Sequence, residues 1–391
     1  MSYEKIIADN KEWIDEVWGK LDNKLSRVAV KSREKIPYTT FDGVHDDKQE
    51  SDIAWWTNGF WGAMMWVMYA GTESEANKAE YKATADRAEI LMDKAFEDVS
   101  ELHHDVGFMW HISSGASYQL TGNKASRNRN LISAMTLASR YNVDGGYIRS
   151  WNDWGEENRG WTIIDCMMNI PQLYWASREI DDVRFKRIAV RHADMAMRDH
   201  VRPDGSVNHI VVHDPDQPDT VLETKGGQGR CVGSTWSRGA AWAIYGFILS
   251  YIHTKEERYL DTAKNVAHYF ISNVMTTDWL PLCDFRAPES PVYYDSTAGA
   301  IAACGLIEIA KNVPEFEKDM YLSAAIKMLK AMEKAWCNWE ENEDSVLQMG
   351  TERYVNEDGL GAKGLHIPII YGDFFFAEAM LKLRGSDFLP W

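Results

Sequence analysis

Helical segments of two different textures alternate along this chain of 391 residues. Six segments are charged and amphipathic, near 3–33, 75–98, 124–141, 182–200, 256–274 and 314–336. Six others, beginning near 58, 106, 163, 235, 294 and 371, are poor in charge and rich in small and aromatic residues. A helix that is apolar nearly all round is buried on every side, whereas an amphipathic helix faces solvent. Six outer helices alternating with six inner ones predict an all-α fold, an (alpha/alpha)6 barrel of six helical hairpins.

The segments between the helices predict where a binding site lies. The longest irregular stretches, 142–161, 202–233 and 338–368, all precede inner helices, and long loops at one end of a scaffold commonly build sites. Residues 205–214 and 279–287 have the composition of short strands, and we expect them to form hairpins on this face. No Pro/Gly/Ser linker divides the chain, so residues 1–391 are predicted to form a single catalytic barrel domain.

Charge and cysteine content narrow the classes of partner. The net charge of −17 disfavours nucleic acid, and any anionic ligand would need a local cationic pocket. No window approaches the ~20 apolar residues of a membrane span, and the charged N-terminal segment lacks a signal peptide's apolar core. Five widely spaced cysteines without a CxxC pair support neither a zinc ribbon nor a disulfide framework. We expect a cytoplasmic protein with no nucleic-acid or membrane partner, and no pattern favours an oligomeric state.

A polar or aromatic cluster stands at the beginning of each inner helix. Four of these clusters contain an aspartate, namely Asp105, Asp165, Asp295 and Asp373. If the inner helices all run in the same direction, the clusters converge on one mouth of the barrel. Aspartate is also a common helix N-cap, so capping is an alternative role for each of the four.

Asp105 and Asp165 are the strongest candidates for catalysis. Two carboxylates at adjacent inner-helix starts suit acid/base work on a sugar, in which one donates a proton and the other assists. A helix N-terminus depresses a carboxyl pKa, so a general acid needs burial or a second negative charge nearby. Asp165 lies between Ile163-Ile164 and Cys166-Met167-Met168, which is the more apolar setting. Asp165 is therefore the predicted acid.

Two other patterns were tested for metal or phosphate chemistry. His103, His104 and Asp105 are consecutive, and we expect their side chains to point in different directions, unlike the i,i+4 pair of a zinc helix. His209 and His213 have no evident third ligand. The run 226–230 (GGQGR) resembles a phosphate loop but lacks the βαβ context, so a loop that closes on a ligand is the preferred interpretation. No metal is expected.

Six motifs follow one another in order along nearly the whole chain: WWTNGFW, HHDVGF, IIDCMMNIPQLYWAS, GSTWSRGAAWAIYGF, YYDSTAGAIAACGLIEIA and IYGDFFFAEA. In this order they resemble the unsaturated glucuronyl hydrolases, glycoside hydrolase family 88. The resemblance implies removal of the 4,5-unsaturated uronic acid from the non-reducing end of oligosaccharides made by polysaccharide lyases. It implies hydration of the C4=C5 vinyl ether, and it implies that no metal or organic cofactor takes part.

The resemblance also implies roles for individual residues. Asp165 would protonate C4 and activate water, and Asp105 would hold sugar hydroxyls and tune the pKa of Asp165. Seven further positions match substrate-binding residues: Trp56, His104, Trp151, His209, Gln228, Arg238 and Trp242. Chemistry supports several of them independently, because a guanidinium can bind a carboxylate and tryptophan faces suit sugar C–H groups, although packing is the alternative role for the tryptophans.

One departure bears on substrate preference. Family members that favour sulfated disaccharides carry Ser-x-x-Ser-x-Lys before the last helix, where this chain has Asp358, Gly361 and Lys363. The lysine is kept as a candidate substrate-binding residue, but both serines are lost. An aspartate repels sulfate, so the sequence favours unsulfated or differently linked substrates.

Two alternatives stay open from the sequence. The related unsaturated rhamnogalacturonyl hydrolases, glycoside hydrolase family 105, share the fold and the paired aspartates. A non-catalytic oligosaccharide-binding barrel is the other, although a binding module needs neither aspartate.

Overall fold

The structure is a computed structural model that describes residues 2–152 and 157–391. Thirteen α-helices in the described residues account for most of it. They are α1 (Tyr3–Asp9), α2 (Lys11–Lys31), α3 (Gly59–Gly71), α4 (Glu75–Met92), α5 (Ala116–Thr121), α6 (Lys124–Ser139), α7 (Pro171–Glu179), α8 (Val183–Asp199), α9 (Ser237–Thr254), α10 (Glu257–Val274), α11 (Ser296–Asn312), α12 (Glu315–Trp336) and α13 (Ile370–Leu383). A π-helical stretch, Gly107–Gly115, runs directly into α5, and a 3₁₀ stretch, Ile164–Met168, precedes α7.

The inner helices form a closed ring. Going round it, α3 packs against the Gly107–Thr121 helix, which packs against α7, and then α9, α11 and α13 follow before α13 returns to α3. Each of α4, α6, α8, α10 and α12 packs on the outside against the inner helix that precedes it, while α2 contacts α13 and α4. The predicted all-α (alpha/alpha)6 barrel is therefore confirmed. The single-domain assignment stays a prediction.

The textures seen in the sequence explain this arrangement. Every residue of α13 is buried, as are most residues of α9 and α11, so these helices must be surrounded by other helices. In α8, by contrast, the buried positions Phe185, Ala189, His192, Ala193 and Ala196 repeat at helical spacing along one stripe. The first predicted segment, 3–33, is two helices, because the chain turns at Asn10, whose side chain donates to Ile6 O at 2.7 Å.

Short strands frame the mouth of the barrel. The pairs are β1 (Thr40–Phe41) with β2 (Val44–His45), and β3 (Tyr141–Asn142) with β4 (Tyr147–Ile148). A three-stranded antiparallel sheet contains β5 (Trp161–Ile163), β6 (Ile210–His213) and β7 (Val221–Lys225), in that order. The strand expected within 205–214 is β6, and its partner strands were not predicted.

The prediction of a second hairpin, at 279–287, is wrong. This segment makes only single bridges, Trp236 to Asp284 and Leu282 to Tyr294. The reason is that the buried Asp284 carboxylate accepts hydrogen bonds from the backbone of Arg230 and Thr235, and so holds the segment by a side chain instead of a ladder. Across residues 2–152 and 157–391, no helix combines the length and apolar character needed to cross a bilayer.

Candidate active site

A cavity of about 920 Å³ opens where the inner helices begin. It is lined by eight of the predicted site residues: Asp105, Asp165, Trp56, His104, Trp151, His209, Gln228 and Arg238. Five of the six inner-helix starts supply lining residues. The clusters at these starts therefore lie together at one mouth of the barrel, as expected.

The four aspartates at inner-helix starts have different partners. Asp295 is the N-cap of α11, accepting from Thr297 N at 3.2 Å, and Asp373 accepts from the backbone N–H groups of Val346 and Leu347. Asp105 and Asp165 cap no helix and face the cavity instead. Capping therefore accounts for Asp295 and leaves the predicted pair available for chemistry.

Asp165 is held beneath the three-stranded sheet. It lies in the 3₁₀ stretch that follows β5, and the neighbouring Ile164 N donates to His209 O at 3.1 Å. Burial raises the pKa of Asp165 to about 8, and the negative charge of Asp105 adds to the rise, against the opposing effect of Arg238. A carboxyl group with this pKa is largely protonated at neutral pH, which is what a general acid requires.

Asp105 has the opposite electrostatics in the same cavity. Its Oδ2 lies 3.3 Å from both His103 Nδ1 and His104 Nε2, and its Oδ1 accepts from Asn169 Nδ2 at 3.1 Å. Burial opposes ionisation, but these neighbours outweigh it and hold the pKa of Asp105 below its ordinary value. Two carboxyl groups are thus poised with one neutral and one charged.

Asn169 connects the two aspartates, and sequence inspection missed it. Its Nδ2 lies 3.4 Å from Asp165 O as well as contacting Asp105, while its Oδ1 accepts from Phe108 N at 2.8 Å. A Cβ on Gly107 would lie 2.7 Å from the same Oδ1, so the glycine permits this close approach. The motif IIDCMMN contained the residue, but nothing in the spacing indicated its direction.

His209 presents its second nitrogen to Asp165. Gln228 N donates to His209 Nδ1 at 2.9 Å, and burial lowers the pKa of His209 to about 3, so the ring is neutral with its proton on Nε2. That Nε2 lies 3.6 Å from Asp165 Oδ1, too long for a hydrogen bond in this structure. Gln228 in turn donates from Nε2 to Glu352 O at 2.6 Å, which ties the 226–230 loop to the C-terminal loop.

Arg238 lies at the floor of the cavity with most of its donors engaged. Nη1 donates to Asp295 Oδ2 and to Thr351 O, each at 2.7 Å, and Nη2 donates to Glu352 O at 2.6 Å. The guanidinium lies 4.5 Å from the centre of the Trp236 ring. It therefore supplies positive potential beneath Asp165 more than a free fork for a ligand.

Two predicted residues lie outside the lining. Trp242 is fully buried below the cavity, with its ring 5.1 Å from Phe108, and its indole N–H lowers the pKa of Asp165. Lys363 is exposed and away from the cavity. Their roles in substrate binding stay predictions.

Several lining residues were not predicted, namely Tyr38, Trp161, Lys225, Glu352, Arg353 and Tyr371. Tyr371 belongs to an inner-helix start and could have been chosen by the same reasoning as Asp165. The others come from strands and loops whose course the sequence does not specify.

The expectation that His103, His104 and Asp105 diverge is wrong. Their ligand atoms all lie within 4.8 Å of one another, because both imidazoles turn toward one carboxylate oxygen. These residues could hold a cation; the same contacts also account for the lowered pKa of Asp105.

Comparisons with known proteins agree closely, although no family model matches the chain. The unsaturated glucuronyl hydrolase of Bacillus sp. strain GL1 is 34% identical over 84% of this chain and 86% of its own length. A crystal structure of that enzyme has a TM-score of 0.84, 30% identity, and coverage of 94% and 97% of the two chains. The unsaturated chondroitin disaccharide hydrolase of Streptococcus pneumoniae is 31% identical over 97% of this chain and 94% of its own.

A mutant of the Streptococcus agalactiae enzyme, in which an aspartate is replaced by asparagine, has been solved in complex with dGlcA-GalNAc6S. Its TM-score is 0.78 at 25% identity, over 97% of this chain and 93% of that one.

Proposed function

This chain belongs to the unsaturated glucuronyl hydrolases, and we propose on that premise that its cavity removes the unsaturated uronate from glycosaminoglycan-derived oligosaccharides. The chain is a glycosidase, and its substrate carries a 4,5-unsaturated uronic acid at the non-reducing end. The relatives' names specify glucuronyl and chondroitin disaccharide substrates, and we extend these to this chain as a class.

In the proposed mechanism, Asp165 acts first as an acid. Its carboxyl proton goes to C4 of the C4=C5 double bond, and positive charge develops at C5 and the ring oxygen. Water adds at C5 and gives a proton back to the Asp165 carboxylate. The resulting hemiketal opens, the glycosidic bond is lost, and a 4-deoxy-5-keto uronate leaves. The group begins and ends each cycle protonated, which suits a pKa of about 8.

The other residues have supporting roles in this proposal. The ionised Asp105 holds sugar hydroxyls and favours the neutral form of Asp165. The Nε2–H of His209, together with Gln228 and His104, contacts the uronate, and the positive charge of Arg238 attracts the uronate carboxylate. Trp56 and Trp151 offer flat faces to its C–H groups.

The observation that supports this proposal most strongly is the unequal pair: a raised pKa at Asp165 and a lowered one at Asp105 in one cavity. The test is loss of the ultraviolet absorbance of the conjugated double bond, measured with wild type and with Asp165→Asn on unsaturated chondroitin disaccharide. We expect turnover by wild type and a loss of about 10²–10⁴-fold in the variant, the usual contribution of a general acid. Near-normal turnover by Asp165→Asn would show that another group is the acid.

Unsaturated rhamnogalacturonan disaccharide belongs in the same assay, because the related hydrolases of that substrate share the paired aspartates. If the protein turned over that disaccharide alone, its activity would be that of an unsaturated rhamnogalacturonyl hydrolase. Binding of every disaccharide without turnover of any would leave a binding barrel.

We also propose a cytoplasmic location. All five cysteines are free in the structure, which suits a reducing compartment. Fractionation of the native host would test it.

A further inference from the structure

The side chain of Trp391 lies on the axis of the barrel, with only 5% of its surface exposed. Its ring centre is 5.8 Å from that of Phe375 in α13 and 5.7 Å from that of Tyr245 in α9. It is also 6.1 Å from the ring of Phe108 in the Gly107–Thr121 helix. These three helices are every second member of the inner ring, so a side chain that contacts all of them occupies its centre.

Trp391 reaches this position from the end of the barrel opposite the cavity. The helix α13 begins at the mouth and ends at Leu383, and Gly385, with φ of +85°, allows the chain to turn back. The indole N–H of Trp391 donates to Glu378 Oε1 at 3.1 Å. The buried polar atom of the indole therefore has a partner, and this hydrogen bond fixes the orientation of the ring.

Phe108 connects Trp391 to the two aspartates of the active site. It belongs to the first turn of the π-helical stretch, where backbone N–H groups lack a partner within the helix. Its N–H donates to Asn169 Oδ1 at 2.8 Å. Asn169 Nδ2 donates to Asp105 Oδ1 at 3.1 Å and lies 3.4 Å from the carbonyl oxygen of Asp165. A movement of Phe108 would therefore displace the residue that lies between both aspartates.

The aromatic wall of the cavity depends less on Trp391. The ring of Trp56 lies 5.5 Å from Phe108, but it also lies 6.0 Å from Phe60 and 5.1 Å from Tyr371. Removal of the indole would leave a space beneath Phe108 into which this ring can partly relax. The loss should therefore disturb the aspartates more than the surface on which a sugar rests.

We infer that Trp391 is a positioning residue for the active site, which supports Phe108 from the barrel axis and thereby places Asn169 between the two aspartates. The inference rests on the proposed function, because its main consequence is measured as turnover. A side chain that only stabilised the fold would change the free energy of unfolding and leave turnover by the folded protein unchanged. A loss of turnover in protein that remains folded distinguishes the two roles.

The test compares Trp391→Ala and Trp391→Phe with wild type on unsaturated chondroitin disaccharide, at a temperature where circular dichroism shows each protein to be folded. We expect Trp391→Ala to lower kcat about tenfold, less than the roughly hundredfold loss that a displacement of about 1 Å can cause, because Phe108 relaxes only partly. KM should change little, since Trp56 keeps its other two partners. Trp391→Phe keeps a ring on the axis and should retain most of kcat.

Indole provides a second readout. Trp391→Gly leaves a space with the shape of indole, and apolar cavities of this kind bind small aromatic molecules. Added indole should restore kcat in this variant and have no effect on wild type. If Trp391→Ala does not fold, Trp391→Leu makes the same test, because it fills part of the space without supplying a ring.

Trp66→Ala is the matched control. Trp66 is 1% exposed in α3, and its ring lies 5.3 Å from Tyr69, a residue away from the cavity lining. This variant also loses a buried indole, so it should be less stable than wild type. Its kcat, measured on folded protein, should be unchanged.

The outcomes separate the inference from the proposed function. Inactive wild type would refute the proposed function, and the crystal structure of Trp391→Ala would then decide the inference. In that structure the ring of Phe108 should move toward the emptied axis and its N–H should move away from Asn169, whereas an unmoved Phe108 overturns the inference. If wild type is active, an unchanged kcat in Trp391→Ala, or an equal loss in Trp66→Ala, also overturns it.

Discussion

The coupling between Asp105 and Asp165 predicts a specific pH dependence. The pKa of Asp165, at about 8, corresponds to roughly 6 kcal/mol of preference for the neutral carboxyl over an ordinary aspartate. Because the proton donor must be protonated, kcat/KM should be flat through neutral pH and fall tenfold for each pH unit well above 8. The acid side of the profile should stay flat until Asp105, whose pKa is lowered, takes up a proton.

The informative perturbation is Asp105→Asn. Burial is the larger cause of the raised pKa of Asp165 and persists in this variant, whereas the charge of Asp105, the second cause, is removed. The alkaline limb of the residual activity should therefore move to lower pH, yet stay above the ordinary carboxyl range. The shift reports on charge coupling, and it is independent of how much activity Asp105→Asn loses through weaker sugar binding.

The assay is the initial rate of absorbance loss at low substrate, because kcat/KM reports the ionisations of the free enzyme. Asp261→Asn removes an exposed carboxylate from α10 and is the matched control, with an expected profile identical to wild type. An alkaline limb that stays in place in Asp105→Asn would refute the coupling, and a wild-type limb far from 8 would refute the assignment of Asp165 as the acid.

Two further predictions concern positioning and stability. Gly227→Ala should lower kcat/KM by about a hundredfold, as displacement of an active-site group by about 1 Å can do, because its Cβ would lie 2.0 Å from His209 Nδ1. Gly233→Ala, also at positive φ but with nothing within 4 Å, is the control, and equal losses in both would mean that backbone strain alone is responsible. Lys382→Met should lower the free energy of unfolding by about 3–5 kcal/mol, because it leaves the buried Glu308 and Glu378 without the cation that lies 2.6 and 3.4 Å from them. Denaturant unfolding would measure it against the exposed Lys186→Met, and a loss no greater than in that control would contradict it.

The barrel could be predicted from the sequence because the distribution of apolar and charged residues round each helix indicates how deeply that helix is buried. A segment such as α13, with apolar and aromatic residues on all sides, is stable only in the interior of the protein. The strands were harder, because β5 and β7 are only three and five residues long, and β5 pairs with β6 across a large gap in the chain. Residues 279–287 show the opposite error, since their strand-like composition yields to the side-chain hydrogen bonds of Asp284.

The site residues also differ in how far their environment could be predicted from the sequence. Asp165 could be selected as the acid because its sequence neighbours are apolar, although Asp105 and Trp242, which also set its pKa, come from other segments. Arg238 was predicted as a carboxylate fork, but its partner Asp295 is 57 residues away and occupies it. Lys225 and Arg353 come from a strand and a loop far apart in the chain, which are joined by hydrogen bonds of Gly227 and Gln228 with residues 352–354. Local sequence determines the environment of a residue only when the residues that create that environment are local.

The four aspartates at inner-helix starts show how one position in a repeated fold acquires different chemistry. Each begins from the same backbone location, where a helix N-terminus favours the charged form. Asp295 accepts hydrogen bonds from Arg238 and from the backbone of Thr297, and Asp105 keeps its charge through two histidines and Asn169. Asp165 accepts no hydrogen bond at its buried Oδ1 from any described residue, and it faces the charge of Asp105. Burial and the charge of Asp105 together outweigh the groups that lower the pKa of Asp165, so a general acid arises here while Asp105, at the same backbone location, stays charged.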